Sequence, residues 1–568
     1  SMDEDSMPKD RMALLGDPAQ HDLLYVAGNA GAFAWRVNIT TGVSSNGQVS
    51  LDTPLKLFEA QSSQVLNASA SPLVITEGLS AYLDEYPHGC TEQIVSQVFP
   101  LVGLSNLPKY GPDNETVAAH FAEVISKLRQ RQSYAGGFSY WPSAQNNDPD
   151  VTIYVMHFLI EADALGYPVP QDMLESGVRY LGDTASNYVR MSGTQSSVNA
   201  SMLTLRKRAQ GIYLLTRSGV VTSNLLIDLV STLEKQYKTT WRKDVLSAYI
   251  AASYALMQQD QEAKKLISEY DLADQSLLVE QAFSGLAPRL NLDAQYLFLV
   301  AKHFPEFIKE VSGKAVLNIT QAIYKGEYNT ISAAYSMLAL GTYHSAVAFA
   351  GDDTNSPNDS LAQIDKQITF VASTLQKKTQ LEPVYNPFAA AIYPIGTERV
   401  EASIQSAALP NAGELYYVNM QAGYQTTLPL KAKSNGIEIQ RAFINKNGEV
   451  ATDIKQGDEI TVRLRVRATK LKNIANIAIV DLLPGGFEVI RESLSRRAGV
   501  WQTEYIDIRE DRIVFYGDIT NRVTEITYTV KVTAAGKFTV PASFVEAMYD
   551  RSLSGLTSAS EVVVTAAK

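Results

Sequence analysis

The chain has 568 residues, too many for one hydrophobic core, so it divides into several domains. Hydrophobic residues at 45% and charged residues at 19% describe an ordinary globular composition. A net charge of −11 argues against nucleic acid as a partner, because neutralising phosphates needs a basic face; no apolar run approaches the ~20 residues of a membrane span.

In chain order the pattern reads β, then α, then β. Ser1-Met2-Asp3-Glu4-Asp5 is no signal peptide and reads as an artificial start rather than a natural leader. Up to about residue 70, short alternating runs such as Phe33-Ala34-Trp35-Arg36-Val37 and Val49-Ser50-Leu51 predict strands. Turn residues such as Ser45-Asn46-Gly47 separate them. From about Pro72 to about residue 390 the period becomes helical. Leu246, Tyr249, Ile250, Ser253 and Met257 share one face, and similar amphipathic helices are expected at 151–164, 208–217, 295–303 and 332–344. Gly166-Tyr167-Pro168 and Gly351-Asp352-Asp353 punctuate them. Helical hairpins repeated over this length predict a toroid or solenoid of paired helices. Gly136-Gly137-Phe138-Ser139-Tyr140-Trp141 within it reads as a turn with aromatic packing. Beyond about residue 395 strands return. Val462, Leu464, Val466 and Ala468 alternate with Arg463, Arg465 and Arg467, and Ile526, Tyr528, Val530 and Val532 alternate with Thr527, Thr529 and Lys531. Such alternation predicts a β-sandwich with one buried and one solvated face.

The chemistry concentrates at Tyr86-Pro87-His88-Gly89-Cys90-Thr91-Glu92-Gln93, which holds the one cysteine of the chain. A lone cysteine forbids an intrachain disulfide and says nothing about redox compartment. Gln93 lies three residues on, so a tight turn brings its side-chain carbonyl to the sulfur. Loss of ammonia between them would leave an internal thioester, an acylating agent from which Cys90 departs as a thiolate of low pKa. Pro87 fixes its φ and Gly89 allows the bend. An ordinary buried thiol is the plain alternative for Cys90. Glu92 is expected to bond backbone or to cap the following helix rather than act as a base. His88 reads as an exposed turn residue, with a local base as the alternative. There is no phosphate-binding glycine loop, no H-E-x-x-H, no G-x-S-x-G and no structural zinc pattern, so neither a metal nor a cofactor is expected.

The Tyr-Pro-x-Gly-Cys-x-Glu-Gln pattern resembles the thioester motif of the alpha-2-macroglobulin and complement superfamily, and its bacterial branch above all. Glu414-Leu415-Tyr416-Tyr417-Val418-Asn419 resembles returning strands of that family's CUB-like domain. Asp481-Leu482-Leu483-Pro484-Gly485-Gly486-Phe487-Glu488 and Glu546-Ala547-Met548-Tyr549-Asp550 resemble its C-terminal domain. The resemblance implies a multidomain α and β fold. An α/α toroid thioester domain at 71–394 is inserted in a CUB-like β domain formed by 1–70 and 395–432, and a macroglobulin-like, receptor-binding-like β-sandwich follows at 433–568. It implies a thioester between Cys90 and Gln93, supported by Tyr86, Pro87, Gly89 and Glu92. Tyr86, Met548 and Tyr549 would shield it from water, although plain sandwich core is an equal reading of Met548-Tyr549.

The function implied is protease trapping rather than enzymatic turnover. After bait-region cleavage in an absent part, Gln93 acylates a lysine of the attacking protease. Complement-type members carry a histidine about a hundred residues past the motif; none lies between His157 and His303, so amines rather than hydroxyls are the expected nucleophiles. A periplasmic parent is implied, with a lipid anchor and an association with a cell-wall synthesis enzyme. The competing readings are a scaffold of the same architecture in which no thioester forms, and a toroid carbohydrate-active enzyme.

Overall fold

The computed structural model describes residues 24–28, 31–84, 86, 88–107, 110–142, 146–193, 201–238, 240–270, 272, 289–311, 313–349, 362–405, 409, 414–425, 430–494 and 503–567. Strands β1 (Leu24–Gly28), β2 (Gly31–Ser44), β3 (Gln48–Asp52) and β4 (Leu57–Ser69) come first. The chain then leaves for a run of helices. It returns as β5 (Thr369–Ser373), β6 (Lys378–Leu381), β7 (Val384–Tyr385), β8 (Ala389–Ile392), β9 (Arg399–Ser403) and β10 (Leu415–Gln425). The early and late strands share two antiparallel sheets, β1-β2-β10-β4-β8-β7 and β3-β9-β5-β6, so one β unit is completed from both sides of the helices. Strands therefore resume at Thr369, ahead of the boundary expected at 394. Strands of two to five residues are too short to show a period of two against a helical background. The segment 351–353, read as a helix breaker, lies outside the described residues.

Twelve α-helices of at least eight residues lie between the two sets of strands among the described residues. They are α1 (Ile75–Asp84), α2 (Thr91–Leu104), α3 (Asn114–Arg129), α4 (Pro149–Ala164), α5 (Gln171–Gly193) and α6 (Met202–Arg217). Then follow α7 (Ser223–Tyr237), α8 (Leu246–Leu256), α9 (Asp260–Ile267), α10 (Arg289–His303), α11 (Gly313–Tyr324) and α12 (Thr330–Phe349). Local sequence sets several starts. Asp113 caps α3 and Ser201 caps α6 through side-chain oxygens, and Asp148 caps α4 ahead of Pro149.

Two kinds of helix alternate. The even-numbered ones pack each on the next, and α12 returns to α2, so six helices close a ring. Three of these inner helices are buried on all sides along most of their length: α4 without a break from Val151 to Ala162, α8 from Leu246 to Ser253, and α10 from Leu290 to Ala301. Segments expected to be amphipathic here are core helices, as a helix apolar all round must be. The odd-numbered helices keep one stripe; α3 buries only Val117, Phe121, Val124 and Leu128. Glycine permits the closure of α12 on α2. A Cβ at Gly103 would lie 2.2 Å from Leu338 Cδ2, and one at Gly341 would lie 2.4 Å from Leu104 Cδ2.

The rest of the chain forms a β-sandwich. Its strands are β11 (Lys433–Asn435), β12 (Ile437–Ile444), β13 (Ile454–Lys455), β14 (Glu459–Ala468), β15 (Asn473–Leu482), β16 (Phe487–Val489) and β17 (Tyr505–Ile508). Then come β18 (Arg512–Thr520), β19 (Thr524–Val532), β20 (Gly536–Val540), β21 (Phe544–Ala547), β22 (Asp550–Leu556) and β23 (Ser560–Thr565). One sheet, β12-β14-β19-β16, alternates cleanly: Ile460, Val462, Leu464 and Val466 point inward, while Arg465 pairs with Glu525 and Arg467 with Glu438 on the outside. The facing sheet, β11-β22-β21-β15-β18-β17, does not alternate. Ile477–Leu482 of β15 and Arg512–Ile513–Val514–Phe515–Tyr516 of β18 are buried on both faces. One face fills the sandwich and the other is covered by the helical unit.

Near the C-terminal ends of α4, α6 and α10 the ring buries a charge cluster. Glu161 accepts from Arg217 at 2.5 Å and from Lys302 at 2.7 Å, and His157 Nε2 stands 3.6 Å away. Burial opposes ionisation of Glu161, but His157, Arg217 and Lys302 together hold its carboxyl well below the usual range. Burial lowers His157, and it lowers His303 to about 3. These histidines are neutral when folded, so their contribution is complete above the ordinary value near 6.5 and fades as pH falls below it. Glu161→Gln leaves two cations without their counter-charge. It should cost about 3–5 kcal/mol in urea unfolding at neutral pH, and wild-type stability should decline as pH drops below about 6.5. A flat stability profile down to about pH 5 would contradict this account of the ring.

Candidate functional site

Helix α2 begins inside the motif. Cys90 is its N-cap, in extended backbone (φ −69°, ψ 163°), and Gln93 is the third residue of the first turn. The first amides of a helix lack internal partners, and a polar side chain at the third position folds back to the N-cap N–H. Gln93 does this: Cys90 N–H donates to Gln93 Oε1 at 3.2 Å. Helical spacing thus sets the Cys90 and Gln93 side chains on one face of the first turn. Both residues are buried, Cys90 completely.

Two other parts of the chain hold this turn. Thr91 donates its N–H to the Tyr140 carbonyl at 2.9 Å and its hydroxyl to the Ser139 carbonyl at 2.5 Å. Arg131 donates to Thr91 Oγ1 at 3.2 Å and to the Gly89 carbonyl at 2.8 Å. The segment 136–141 is the turn with aromatic packing: Gly136 takes φ 90°, and a Cβ there would lie 2.0 Å from the Ser176 carbonyl oxygen. Gly89 does not lie in the left-handed region, and nothing stands within 4 Å of where its Cβ would be. The freedom expected of Gly89 is therefore not drawn on, and the bend comes from the hydrogen bonds of its neighbours. Pro87 lies outside the described residues.

From the other side the sandwich covers the motif with the turn between β21 and β22. Gln93 Nε2 contacts Met548 Sδ at 3.6 Å, and Tyr86 donates its hydroxyl to the Met548 carbonyl at 3.0 Å. The Tyr549 hydroxyl lies 4.0 Å from Cys90 Sγ and donates to Glu92 Oε1 at 2.5 Å. Met548 and Tyr549 are buried with Cys90 in one cluster with Trp141, Val480, Val514 and Tyr516, separate from the sandwich core. Trp141 stacks on Tyr505 at 4.6 Å between centroids, and Arg551 lies over the rings of Tyr82 and Tyr328.

Two expectations change. His88 is not exposed: it is buried between the domains, its Nε2 2.8 Å from Glu546 Oε1 and its Nδ1 3.1 Å from the Tyr516 hydroxyl. Glu92 is not simply a cap. It is 1% exposed, and Cys90 Sγ donates to its Oε1 at 2.8 Å. The electrostatics follow from burial. Desolvation pushes the Cys90 thiol well above its ordinary value, and the Glu92 charge pushes it further. Burial also raises Glu92, against the opposing pull of its bonds to Cys90 and Tyr549 and the charge of Arg131. The low thiolate pKa expected from sequence is absent in this closed arrangement. Thr91, Arg131, Tyr140, Trp141, Glu546 and Tyr516 were not singled out as site residues from the sequence. Only the aromatic 138–141 segment carried a local signal.

The burial predicts slow thiol chemistry. In a Gln93→Ala chain, where Cys90 must remain a thiol, alkylation at about pH 8 should be at least ~100-fold slower than in denaturant, and Tyr549→Ala should restore about tenfold or more. Equal labelling with and without Tyr549 would show that this ring does not cover the sulfur.

Comparison with known proteins is consistent along the chain. Residues 436–551 match the family model described as the bacterial alpha-2-macroglobulin MG10 domain. An alpha-2-macroglobulin homolog of Yersinia pestis is 32% identical over 558 residues, covering 93% of this chain and 26% of that protein. The alpha-2-macroglobulin of Rickettsia conorii is 29% identical over 525 residues, covering 90% and 26%. The chain thus spans about a quarter of the length of these curated relatives. Among solved structures, Escherichia coli alpha-2-macroglobulin from domain MG7 to the C-terminus superposes with a TM-score of 0.68 at 18% identity, over 93% of this chain and 82% of that one. Salmonella alpha-2-macroglobulin reacted with methylamine gives 0.70 at 18% identity, over 94% and 34%. From its sequence and its fold alike, the chain belongs to the bacterial alpha-2-macroglobulin family.

Proposed function

We propose that this chain is the thioester-bearing part of a protease-trapping inhibitor, and that Cys90 and Gln93 form the thioester. The observation that carries this reading is the N-cap geometry: Cys90 and Gln93 share the first turn of α2, buried beneath Met548 and Tyr549. Closure forms a bond between Cys90 Sγ and the Gln93 side-chain carbon and releases the Gln93 nitrogen as ammonia. The Gln93 oxygen is retained, and the Cys90 N–H that it already accepts would steady the negative charge of the tetrahedral intermediate.

The closed environment makes the bond latent. Burial and Glu92 disfavour a thiolate at Cys90, so the leaving group is poor while the sandwich is docked. Undocking hydrates the sulfur, lowers its pKa and opens the site to a nucleophile carried on a protein in one step. A single acylation consumes the site, which makes the reaction stoichiometric. In the parent we place a bait region ahead of this chain, whose cleavage by a protease releases the dock, and a lysine of that protease as the group captured. A relative of the same fold has been reacted with methylamine, which fits an amine-reactive centre. We read the helix ring as the family's α/α toroid and the two-sheet unit around it as its CUB-like domain. We place the parent in the periplasm, lipid-anchored beside a cell-wall synthesis enzyme. A glycosidase reading gains little: of the two carboxylates lining the ring's recess, Asp150 is held by Lys207 at 2.6 Å.

Intact mass tests the reading. The native chain should weigh about 17 Da less than its sequence, and methylamine should add about 31 Da at Gln93 and free one thiol. Cys90→Ala should show neither change while keeping the wild-type melting temperature. A full sequence mass in the native chain, or methylamine incorporation that persists in Cys90→Ala, would sink it.

A further inference from the structure

The N-terminal end of the helix ring is not filled. A recess of about 710 Å³, open solvent at its mouth included, is lined by the N-terminal parts of all six inner helices. Glu92 of α2, Ile153 of α4, Leu203 of α6, Tyr249 of α8, Gln295 of α10 and Tyr335 of α12 each contribute. Glu92 therefore belongs to two places at once. Its Oε1 accepts from Cys90 Sγ at 2.8 Å and from Tyr549. Its Oε2 is buried with no hydrogen-bond donor on it among the described residues. A buried carboxylate oxygen without a donor is costly. A carboxylate that touches the Cys90 sulfur with one oxygen, and whose other oxygen is unmet on a side chain lining the recess, is placed to pass a proton between the two.

Resting on the thioester reading, we propose that the recess admits a primary ammonium group to Glu92 Oε2, and that Glu92 shuttles a proton from the attacking nitrogen to the departing Cys90 sulfur. The ammonium R–NH3+ gives one proton to Glu92. The freed amine forms a C–N bond to the Gln93 acyl carbon, and the C–S bond breaks with its electron pair going to sulfur. The sulfur takes its proton from Glu92 Oε1, and the second proton of the nitrogen returns through the carboxylate to solvent. Ammonium and thioester become amide, Cys90 thiol and one released proton, with Glu92 again ionised.

The surroundings suit this role. The charged and titratable groups facing Glu92 are Cys90 beside it, Tyr549 from the sandwich, Arg131 after α3, Tyr82 and Tyr86 ahead of the motif, and Tyr140 and Tyr154. Within the recess Lys207 is neutralised by Asp150, and Arg206 by Asp244 at 2.8 Å. Burial raises the Glu92 carboxyl, which strengthens it as a proton acceptor.

Methylamine incorporation into the native chain is the test, followed from about pH 7 to about pH 9, below the alkylamine pKa near about 10.4. Attack by free amine alone must accelerate tenfold per pH unit. Docked ammonium with Glu92 as the shuttle gives a nearly level profile. Glu92→Gln should lower the rate at about pH 7 by about 100-fold and restore the tenfold slope. An unchanged rate and profile in this variant overturns the proposal. If Glu92→Gln shows no mass loss and so has no thioester, the wild-type profile decides alone: level supports the shuttle, tenfold per unit overturns it. Leu203→Trp, at the half-buried rim, should slow methylamine and leave spontaneous hydrolysis unchanged; an unchanged methylamine rate removes the recess as the route. Failure of the wild-type chain to show the mass loss would instead strike the thioester reading itself.

Discussion

The contact on which the rest depends is the seating of the β21–β22 turn on the N-terminus of α2. Met548 meets Gln93, Tyr549 meets Glu92 and Cys90, and Tyr86 reaches back to the Met548 carbonyl. A helix start is ordinarily the wettest part of a helix, because its first amides need partners. Here those amides are met by Gln93 and the Tyr140 carbonyl, and aromatic and thioether groups complete the cover. The sandwich thus replaces water at the one place where reactive chemistry is proposed. That same sheet must be apolar on both faces, which accounts for the unbroken burial of β15 and β18.

Docking also ties reactivity to conformation. The anchors away from the chemistry are Trp141 on Tyr505, His88 between Tyr516 and Glu546, and Arg551 over Tyr82 and Tyr328. Each joins the helical unit to the sandwich, so loss of the interface exposes Cys90, Glu92 and Gln93 together. Under the proposed reading, one event then changes the solvation of the Cys90 sulfur, the basicity of Glu92 and the access of a protein-borne nucleophile.

Much of this was legible in the sequence, for identifiable reasons. Period-two alternation marked β14 and β19, and the Cys90–Gln93 spacing marked the two residues that share the first turn of α2. The inner helices were legible as helices but not as core, because Leu246, Tyr249 and Ile250 suggest a stripe until the small residues between them are seen to be buried too. The strands at 369–392 were too short to declare themselves. Burial of His88 and the Glu92–Cys90–Tyr549 contact could not be read, because they depend on residues more than four hundred positions away. The non-alternating run Ile477-Ala478-Ile479-Val480 was a signal of a doubly covered sheet, visible in the sequence beside the alternating β14.

The most direct test of the account perturbs the dock without touching the site. Arg551→Ala removes the cation packed over Tyr82 and Tyr328 while leaving Cys90, Glu92, Gln93, Met548 and Tyr549 in place. Release of the Cys90 thiol in plain buffer and hydrogen exchange at the amides of 91–94 should then be followed together over time. The account predicts that both accelerate in the variant, in proportion to each other. Loosened amides with an unchanged rate of thiol release would show that the sandwich is not what keeps the site dry.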